Sequence, residues 1–240
     1  MCSSDLVTDG TRRPRHRPAP LFVDVYIKMT VPPKGHPVAP ETLQDQLTLD
    51  ALAADLLFRE ARTASEFLDE PVADEQLRAA FELAKMGPTA MNIQPLRVTW
   101  IRSAEARERL LPHMAEGNRA KTAAAPAVAV LSYDVDWHEH LPVVFPPAAG
   151  NQEMFAGNEE LRAQMGRDNA HLQAGYFVLA VRAVGLAAGP MGGFDAPGVD
   201  AEFHAGTSLR ALMVVNIGAP AAPRHDRLPR LDFDAATRTV

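Results

Sequence analysis

Cysteine is almost absent from this sequence of 240 residues, since Cys2 is the only one. A disulfide within the chain is therefore excluded, and so is a zinc site built from several cysteines. Long apolar runs are missing as well: the most apolar stretch, residues 176–188, is too short to cross a membrane and carries Arg182. The first residues lack the apolar core of a signal peptide. These absences predict a cytoplasmic protein without a membrane partner.

An excess of positive charge is also missing. Lysine and arginine total 24 against 30 aspartates and glutamates, a formal net charge of -6. Because nonspecific nucleic-acid binding normally needs a basic face, no nucleic-acid partner is predicted. The apolar fraction of 47% and the charged fraction of 22% are ordinary for a globular protein, and the length suits one domain with a sizeable core.

Several common catalytic motifs are absent. The chain has no G-x-G-x-x-G dinucleotide turn, no P-loop and no G-x-S-x-G nucleophile elbow. Tyr176 is followed at the fourth position by Ala180, so the Tyr-x-x-x-Lys pair of short-chain dehydrogenases is missing too. His138 and His140 flank Glu139, but no third ligand has a suitable spacing. We therefore predict that these histidines lie on the surface and that the protein holds no metal.

The pattern of apolar residues predicts a poorly ordered arm over residues 1–46 and an α+β domain over residues 47–240, with much helix and few strands. The basic cluster in the arm is most simply a solvated tail. The individual elements predicted are helices over 47–62, 74–85, 103–113, 158–184 and 197–201, strands over 96–101, 127–133 and 212–217, a loop-rich stretch over 134–158 and a tight loop over 189–193.

Three short segments could each serve a ligand or be structural. In the first, Arg62 and Thr63 follow the first helix, where they could bind a phosphate or compensate the helix dipole. The second is G-P-T-A-M-N-I-Q-P over residues 87–95, with donors and acceptors at Asn92 and Gln94 that could instead satisfy a plain turn. The third is G-P-M-G-G-F-D over residues 189–195, whose glycines allow a flat ligand to approach or merely reverse the chain.

Together these segments resemble the nitroreductase family. The second is similar to that family's A-P-S-S-x-N-x-Q-P motif and the third to its P-x-x-G-F-D loop, in matching order and spacing from about Leu47 to Phe233. Within the family the resemblance is closest to the malonic semialdehyde reductases of bacterial pyrimidine degradation. It rests on A-R-T at 61–63, K-M-G-P-T at 85–89, G-N at 117–118, L-P at 141–142, A-G at 205–206, N-I-G at 216–218 and R-L-P-R-L at 227–231.

The resemblance implies a central, mostly antiparallel sheet flanked by helices, and a homodimer with FMN at the subunit interfaces. It implies that Arg62, Thr63 and Arg230 bind the phosphate end of FMN, although Arg227 and Arg230 could also be ordinary surface residues. The isoalloxazine ring would then lie against the two remaining segments, at Pro88, Thr89, Asn92, Gln94, Pro190, Met191, Gly192 and Gly193.

The implied activity is reduction of malonic semialdehyde to 3-hydroxypropionate by ping-pong hydride transfer from NADH or NADPH. The flavin N5 would carry the hydride, with no catalytic side chain. Lys121 and Arg119 are our candidates for binding the substrate carboxylate, although a solvated pair is the simpler interpretation. A broad nitro or quinone reductase and a noncatalytic flavin-binding protein remain alternatives.

Overall fold

The computed structural model describes residues 47–223 and 225–240. The arm predicted over residues 1–46 lies outside the described residues. The strands are β1 Leu96–Ile101, β2 Ala127–Asp134, β3 Ala187–Met191 and β4 Leu209–Gly218. The helices are α1 Ala51–Ala54, α2 Asp74–Ala84, α3 Ala104–Leu110, α4 Glu116–Ala124, α5 Leu141–Val144, α6 Gln152–Ala156, α7 Glu159–Ala183, α8 Ala196–Phe203 and α9 Phe233–Ala236. A π-helical turn, Asp55–Arg59, follows α1, and short 3-10 turns lie at Ala90–Asn92, Leu111–His113, Trp137–His140 and Pro146–Asn151.

The four strands form one sheet in the order β1-β2-β4-β3, and every neighbouring pair is antiparallel. Successive residues of β2 point to opposite faces of the sheet, as the strand geometry requires. Ala127, Ala129 and Leu131 pack with α2 and α7, whereas Val128 and Val130 pack on the other face with α3 and α8. The predicted α+β architecture, an antiparallel sheet flanked by helices, is confirmed.

The long helix α7 was predicted almost to the residue. Asn158 caps it by accepting a hydrogen bond from the Leu161 amide at 3.0 Å, and Gly185, with φ of +81°, follows its end. Its buried side, which includes Phe177, lies against the sheet and α2. Leu172 and Tyr176 of the same helix are 54% and 42% exposed, so the described chain leaves part of this apolar helix uncovered.

The structure corrects three local predictions. The first helix begins at Ala51 and ends in the π-helical turn, and its Leu52 is 82% exposed, so the apolar spacing there does not mark the core of this chain. Residues 134–158 contain the helices α5 and α6, and α4 was not predicted at all.

The third correction concerns residues 189–193, which were predicted as a tight loop. Residues 187–191 form strand β3, with Gly189 opposite Asn216 and Pro190 opposite Val215. Glycine and proline have low strand propensity, so no strand was predicted at these residues. Pairing with β4 overrides that preference, and proline is tolerated because β3 is an edge strand.

Candidate functional site

The first segment lies directly against the edge strand β3. The Ala64 amide donates a hydrogen bond to the Ala188 carbonyl at 3.0 Å. A Cβ atom at Gly189 would overlap the Ala64 carbonyl oxygen, so glycine is required for this close approach. Arg62 and Thr63, two residues predicted to bind phosphate, are thereby fixed at the end of the sheet where β3 begins.

A cavity of about 650 Å³ opens beside this segment and is bordered by several arginines. Arg62, Arg182, Arg227 and Arg230 all line it, together with Thr63. The Arg62 guanidinium donates to the carbonyls of Arg59 and Ala61, each at 3.2 Å, and lies 3.7 Å from Glu60. Its Nε is buried and has no hydrogen-bond partner in the described chain. An unpartnered buried donor in an arginine-lined cavity is suited to an anionic oxygen.

The C-terminal tail crosses this cavity. Arg227 donates hydrogen bonds to the carbonyls of Phe58 at 3.0 Å and Ala61 at 2.9 Å, and it also contacts the Arg59 carbonyl. Arg230 uses one nitrogen for the carbonyls of Leu228 and Pro229 and leaves the rest of its guanidinium exposed. Tertiary structure thus brings the predicted Arg230 to Arg62 and Thr63, 168 and 167 positions away in the sequence.

The double-glycine loop continues from the other end of β3 and packs against α4. The Gly193 carbonyl accepts hydrogen bonds from the Asn118 side chain at 2.8 Å and the Ala115 amide at 3.0 Å. A Cβ at Gly193 would lie 2.8 Å from the Asn118 side-chain nitrogen, whereas one at Gly192 would meet nothing within 4 Å. Gly192 is exposed, so open space for a ligand adjoins the loop at this residue.

The Met191 side chain is turned away from that open space. It is buried, and its sulfur lies 3.9 Å from the Asn216 amide nitrogen and 4.0 Å from the Thr122 hydroxyl. Pro190 precedes it within β3. Any ligand at this loop therefore meets the backbone of Met191 and Gly192 and not the thioether.

Lys121 and Arg119 both belong to α4, but they differ in how free their charges are. Lys121 is one helical turn beyond Asn118, so the two share a face of α4 near the loop. Arg119 donates from Nε to the Met114 carbonyl at 3.0 Å, which holds part of its guanidinium. Lys121 is therefore the better placed of the two predicted carboxylate-binding cations. Asn118 was not predicted as a site residue, although the G-N pair at 117–118 was noticed.

The second segment is a strained turn. Met91, Asn92 and Gln94 have φ of 52°, 53° and 43°, values in the left-handed region that residues other than glycine seldom adopt. Side chains hold the turn in place: Asn169 of α7 accepts from the Ala90 amide at 2.7 Å, and Asn92 donates to the Val144 carbonyl at 2.6 Å. Strain held by surrounding contacts is commonest at functional sites.

This turn lies far from the first segment and its arginine cavity within one chain. It leads into β1, whose Leu96 pairs with Tyr133 at the end of β2. The first segment adjoins Ala188, which pairs with Ile217 and so lies level with Ala127 at the start of β2. Six residues of extended strand span about 20 Å. Pro88, Thr89, Asn92 and Gln94 are therefore not brought to the arginine cavity of their own chain.

The prediction that His138 lies on the surface is wrong. The residue is 6% exposed and adjoins Trp137, and its Nδ1 has no hydrogen-bond partner among the described residues. Burial, followed by the charge of Arg162, lowers the pKa of His138. His140 is exposed, 3.7 Å from Asp134. In residues 47–223 and 225–240 no group of three or more histidine, cysteine, aspartate or glutamate residues could hold a metal ion.

Two known proteins are similar in sequence to this chain over nearly their whole length. A provisionally named NADH dehydrogenase/NAD(P)H nitroreductase of Leptothrix cholodnii is 59% identical over 190 residues, which cover 78% of this chain and 96% of that protein. A relative of the same provisional name from Streptomyces griseus is 53% identical over 195 residues, 81% of this chain and 99% of that protein.

Solved structures show the same fold. A nitroreductase family protein from Streptococcus pneumoniae superposes with a TM-score of 0.67 at 21% identity, over 76% of this chain and 98% of that one. A provisionally named nitroreductase from Exiguobacterium sibiricum, crystallised in complex with FMN, superposes with a TM-score of 0.65 at 19% identity, over 80% of this chain and 98% of that one.

In the described part of the chain no helix has both the length and the apolarity needed to cross a membrane. The sequence profile of the nitroreductase family matches residues 58–219, which contain all three segments. The chain belongs to the nitroreductase family.

Proposed function

We propose that this protein is an FMN-dependent NAD(P)H oxidoreductase that acts as a homodimer. The observation that carries the proposal is the joining of an arginine-lined cavity to β3 and the exposed double-glycine loop. The cavity suits the phosphate of a flavin mononucleotide, and the loop suits a planar ring, since a Cβ at Gly192 would meet no atom within 4 Å. The name of the Exiguobacterium sibiricum structure, in complex with FMN, supports the same cofactor.

A second copy of the chain would complete the site. An exposed apolar face is formed by Leu83 of α2, Met86 just after α2, and Leu172 and Tyr176 of α7. Gly87 lies against the Tyr176 ring, where an added Cβ would be 2.8 Å away. The strained turn therefore begins on that apolar face. Burying the face against a partner subunit removes it from water and carries the turn to the partner's cavity.

In such a dimer Arg62, Thr63 and Arg230 of one subunit bind the phosphate and ribityl chain. Asn92 and Gln94 of the other subunit donate hydrogen bonds to the pyrimidine edge, and Pro88 and Thr89 fix the turn. Thr89 already holds the turn, because its hydroxyl accepts a hydrogen bond from the backbone amide of Gln94 at 3.2 Å. Pro190, Met191, Gly192 and Gly193 present backbone along the ring. Bound FMN supplies the hydride chemistry, with NADH or NADPH as donor.

Malonic semialdehyde is our proposed acceptor, reduced to 3-hydroxypropionate. Lys121 supports it, since the residue shares a face of α4 with Asn118, which contacts the loop at Gly193. A cation there can pair with the carboxylate of this three-carbon aldehyde. Lys121→Ala should then raise KM for malonic semialdehyde more than for an uncharged aldehyde. An equal loss with both aldehydes would mean that Lys121 serves the flavin instead.

A broad nitro or quinone reductase is the second candidate, and the names of the Leptothrix and Streptomyces relatives favour it. The decisive comparison is kcat/KM for malonic semialdehyde against that for a nitroaromatic compound and a quinone. A preference of at least about a hundredfold for the aldehyde, equivalent to roughly 2.7 kcal/mol of transition-state binding, would support the specific reductase. A preference for the nitroaromatic compound would refute it.

Flavin binding itself is tested by the absorption spectrum of the purified protein. A yellow protein that NADH or NADPH bleaches, and that air or an acceptor restores, is the expected result. Colourless protein that takes up no FMN would overturn the proposed function. Yellow protein that neither NADH nor NADPH bleaches would indicate a noncatalytic flavin-binding protein.

The contribution of two subunits is tested by mixing variants. Arg62→Ala and Asn92→Ala should each be inactive alone, since each spoils both sites of its homodimer. If Arg62 and Asn92 of one site come from different chains, half of the dimers formed on random mixing are heterodimers with one intact site of two. Activity should then recover to roughly a quarter of wild type. No recovery on refolding the mixture would contradict the shared site.

A further inference from the structure

Arg182 enters the arginine cavity from the last turn of α7, outside the three segments recognised in the sequence. One of its terminal nitrogens donates to the Leu57 carbonyl at 3.1 Å, where the π-helical turn adjoins the cavity. A guanidinium has five N–H donors in a planar fork, so most of the donors of Arg182 remain available for a ligand. The side chain is half-buried and thus partly desolvated.

Arg182 is also close to a second positive charge. Burial, and then the neighbouring charge of Arg227, lower the pKa of Arg182. In the described part of the chain neither guanidinium is paired with a carboxylate. The carboxylates that border the cavity are Asp55, Glu60, Glu66 and Asp226, and the first two form ion pairs with Arg59 and Arg62.

A half-buried guanidinium next to a second positive charge stabilises a cavity poorly unless an anion lies between them. A phosphate monoester has the charge and the three acceptor oxygens needed to satisfy several arginines at once. The anion that the cavity binds would therefore contact Arg182 as well as Arg62 and Arg230.

We propose that Arg182 is a further phosphate-binding residue and makes this cavity select FMN over riboflavin. The inference rests on the proposed function and adds to it a residue on α7 that determines cofactor specificity. The competing interpretation is that Arg182 only caps the π-helical turn through the Leu57 carbonyl. If Arg182 only caps the turn, its loss lowers the stability of the protein and weakens the binding of FMN and riboflavin equally. If Arg182 binds the phosphate, its loss weakens the binding of FMN alone.

The experiment measures the binding of FMN and riboflavin to flavin-free protein by quenching of flavin fluorescence. Riboflavin has the same ring and ribityl chain but no phosphate. Arg182→Gln removes the charge, and Arg78→Gln, an exposed arginine of α2 outside the cavity, is the matched control. Because a hydrogen bond to a charged group is worth about 1.5–3 kcal/mol, Arg182→Gln should raise Kd for FMN about ten- to hundredfold.

The Kd for riboflavin should change less than about threefold in Arg182→Gln, and Arg78→Gln should change neither the Kd for FMN nor that for riboflavin. An equal loss of FMN and riboflavin affinity in Arg182→Gln, or no loss of either, overturns the inference. The proposed function still stands in both cases, because the wild-type protein binds FMN. Wild-type protein that binds no FMN overturns the proposed function and the inference together.

If Arg182→Gln does not fold, Arg182→Lys provides the test. It keeps the charge but loses the planar fork, so FMN affinity should fall severalfold with riboflavin affinity unchanged. An FMN-to-riboflavin ratio equal to that of wild type would overturn the inference.

Discussion

Gly189→Ala tests the contact between the edge of the sheet and the cavity. The added methyl group would overlap the backbone carbonyl oxygen of Ala64 and would lie 3.6 Å from Cβ of Asn216, so there is little room for relief. The first segment must then move outward, which weakens the hydrogen bond from the Ala64 amide to the Ala188 carbonyl, now 3.0 Å long. Arg62 and Thr63 move with it, so both stability and cofactor binding should decrease.

The magnitude can be estimated for each effect. Overpacking costs about 1–3 kcal/mol, and loss of the hydrogen bond about 1 kcal/mol more. The smaller entropy of the unfolded alanine chain offsets about 0.4–1 kcal/mol. The net loss is roughly 1–3.5 kcal/mol, which for a domain of this size lowers Tm by roughly 2–14 °C. A displacement near 1 Å at a binding group also predicts a loss of FMN affinity of about tenfold or more.

Thermal unfolding of the flavin-free protein and titration with FMN are the assays. Gly157→Ala is the matched control, because Gly157 has φ of -76° and an added Cβ there would meet no atom within 4 Å. The free energy of unfolding of the control should lie within about 1 kcal/mol of the wild-type value, and the control should bind FMN with wild-type affinity. If Gly189→Ala matches the control in both assays, the close approach does not hold the cavity and our account of the site is wrong.

Two further predictions address the buried histidine and the dimer. Because the pKa of His138 is lowered in the folded protein, its imidazole takes up a proton at a higher pH in the unfolded chain than in the folded one. The contribution of His138 to stability is therefore full above about pH 6.5 and decreases as the pH falls below it. His138→Gln should lose less stability than wild type between about pH 7.5 and pH 5 in denaturant unfolding, and parallel losses would refute the assignment. Leu172→Glu puts a charge on the exposed apolar face of α7 and should give monomers in sedimentation analysis that bind FMN at least about tenfold more weakly. A dimer of unchanged affinity would place the interface elsewhere.

The local sequence of helix α7 and of strands β1, β2 and β4 was sufficient to predict them. In α7 a continuous helical pattern runs from the Asn158 cap to Gly185, and β2 is an apolar run buried on both faces. The predictions failed where the exposure or burial of a residue depends on contacts with distant parts of the chain. Leu52 has helical spacing but lies in water in this chain, and His138 follows a strand in a loop-rich stretch yet is buried.

For the candidate site, the residue types were identifiable but most of their positions were not. Arg62, Asn92 and the double glycine are residue types that suit a phosphate, a pyrimidine edge and a flat ring. Each alone also fits a structural role, and the resemblance to the family joined them into one predicted site. Arg182 and Asn118 could not be identified in this way. An arginine at the end of a helix and an asparagine in a polar stretch are ordinary until their neighbours are known.

By itself, the sequence determined the family, the α+β class and the order of three candidate ligand-binding segments, because each depends on the types and the spacing of residues that are close together in the chain. Only the tertiary structure decided which of those segments meet. Antiparallel pairing places Ala188 beside the start of β2 and Leu96 beside its end. That register separates the strained turn from the arginine cavity by about 20 Å of extended strand, so within a single chain the turn does not reach the cavity.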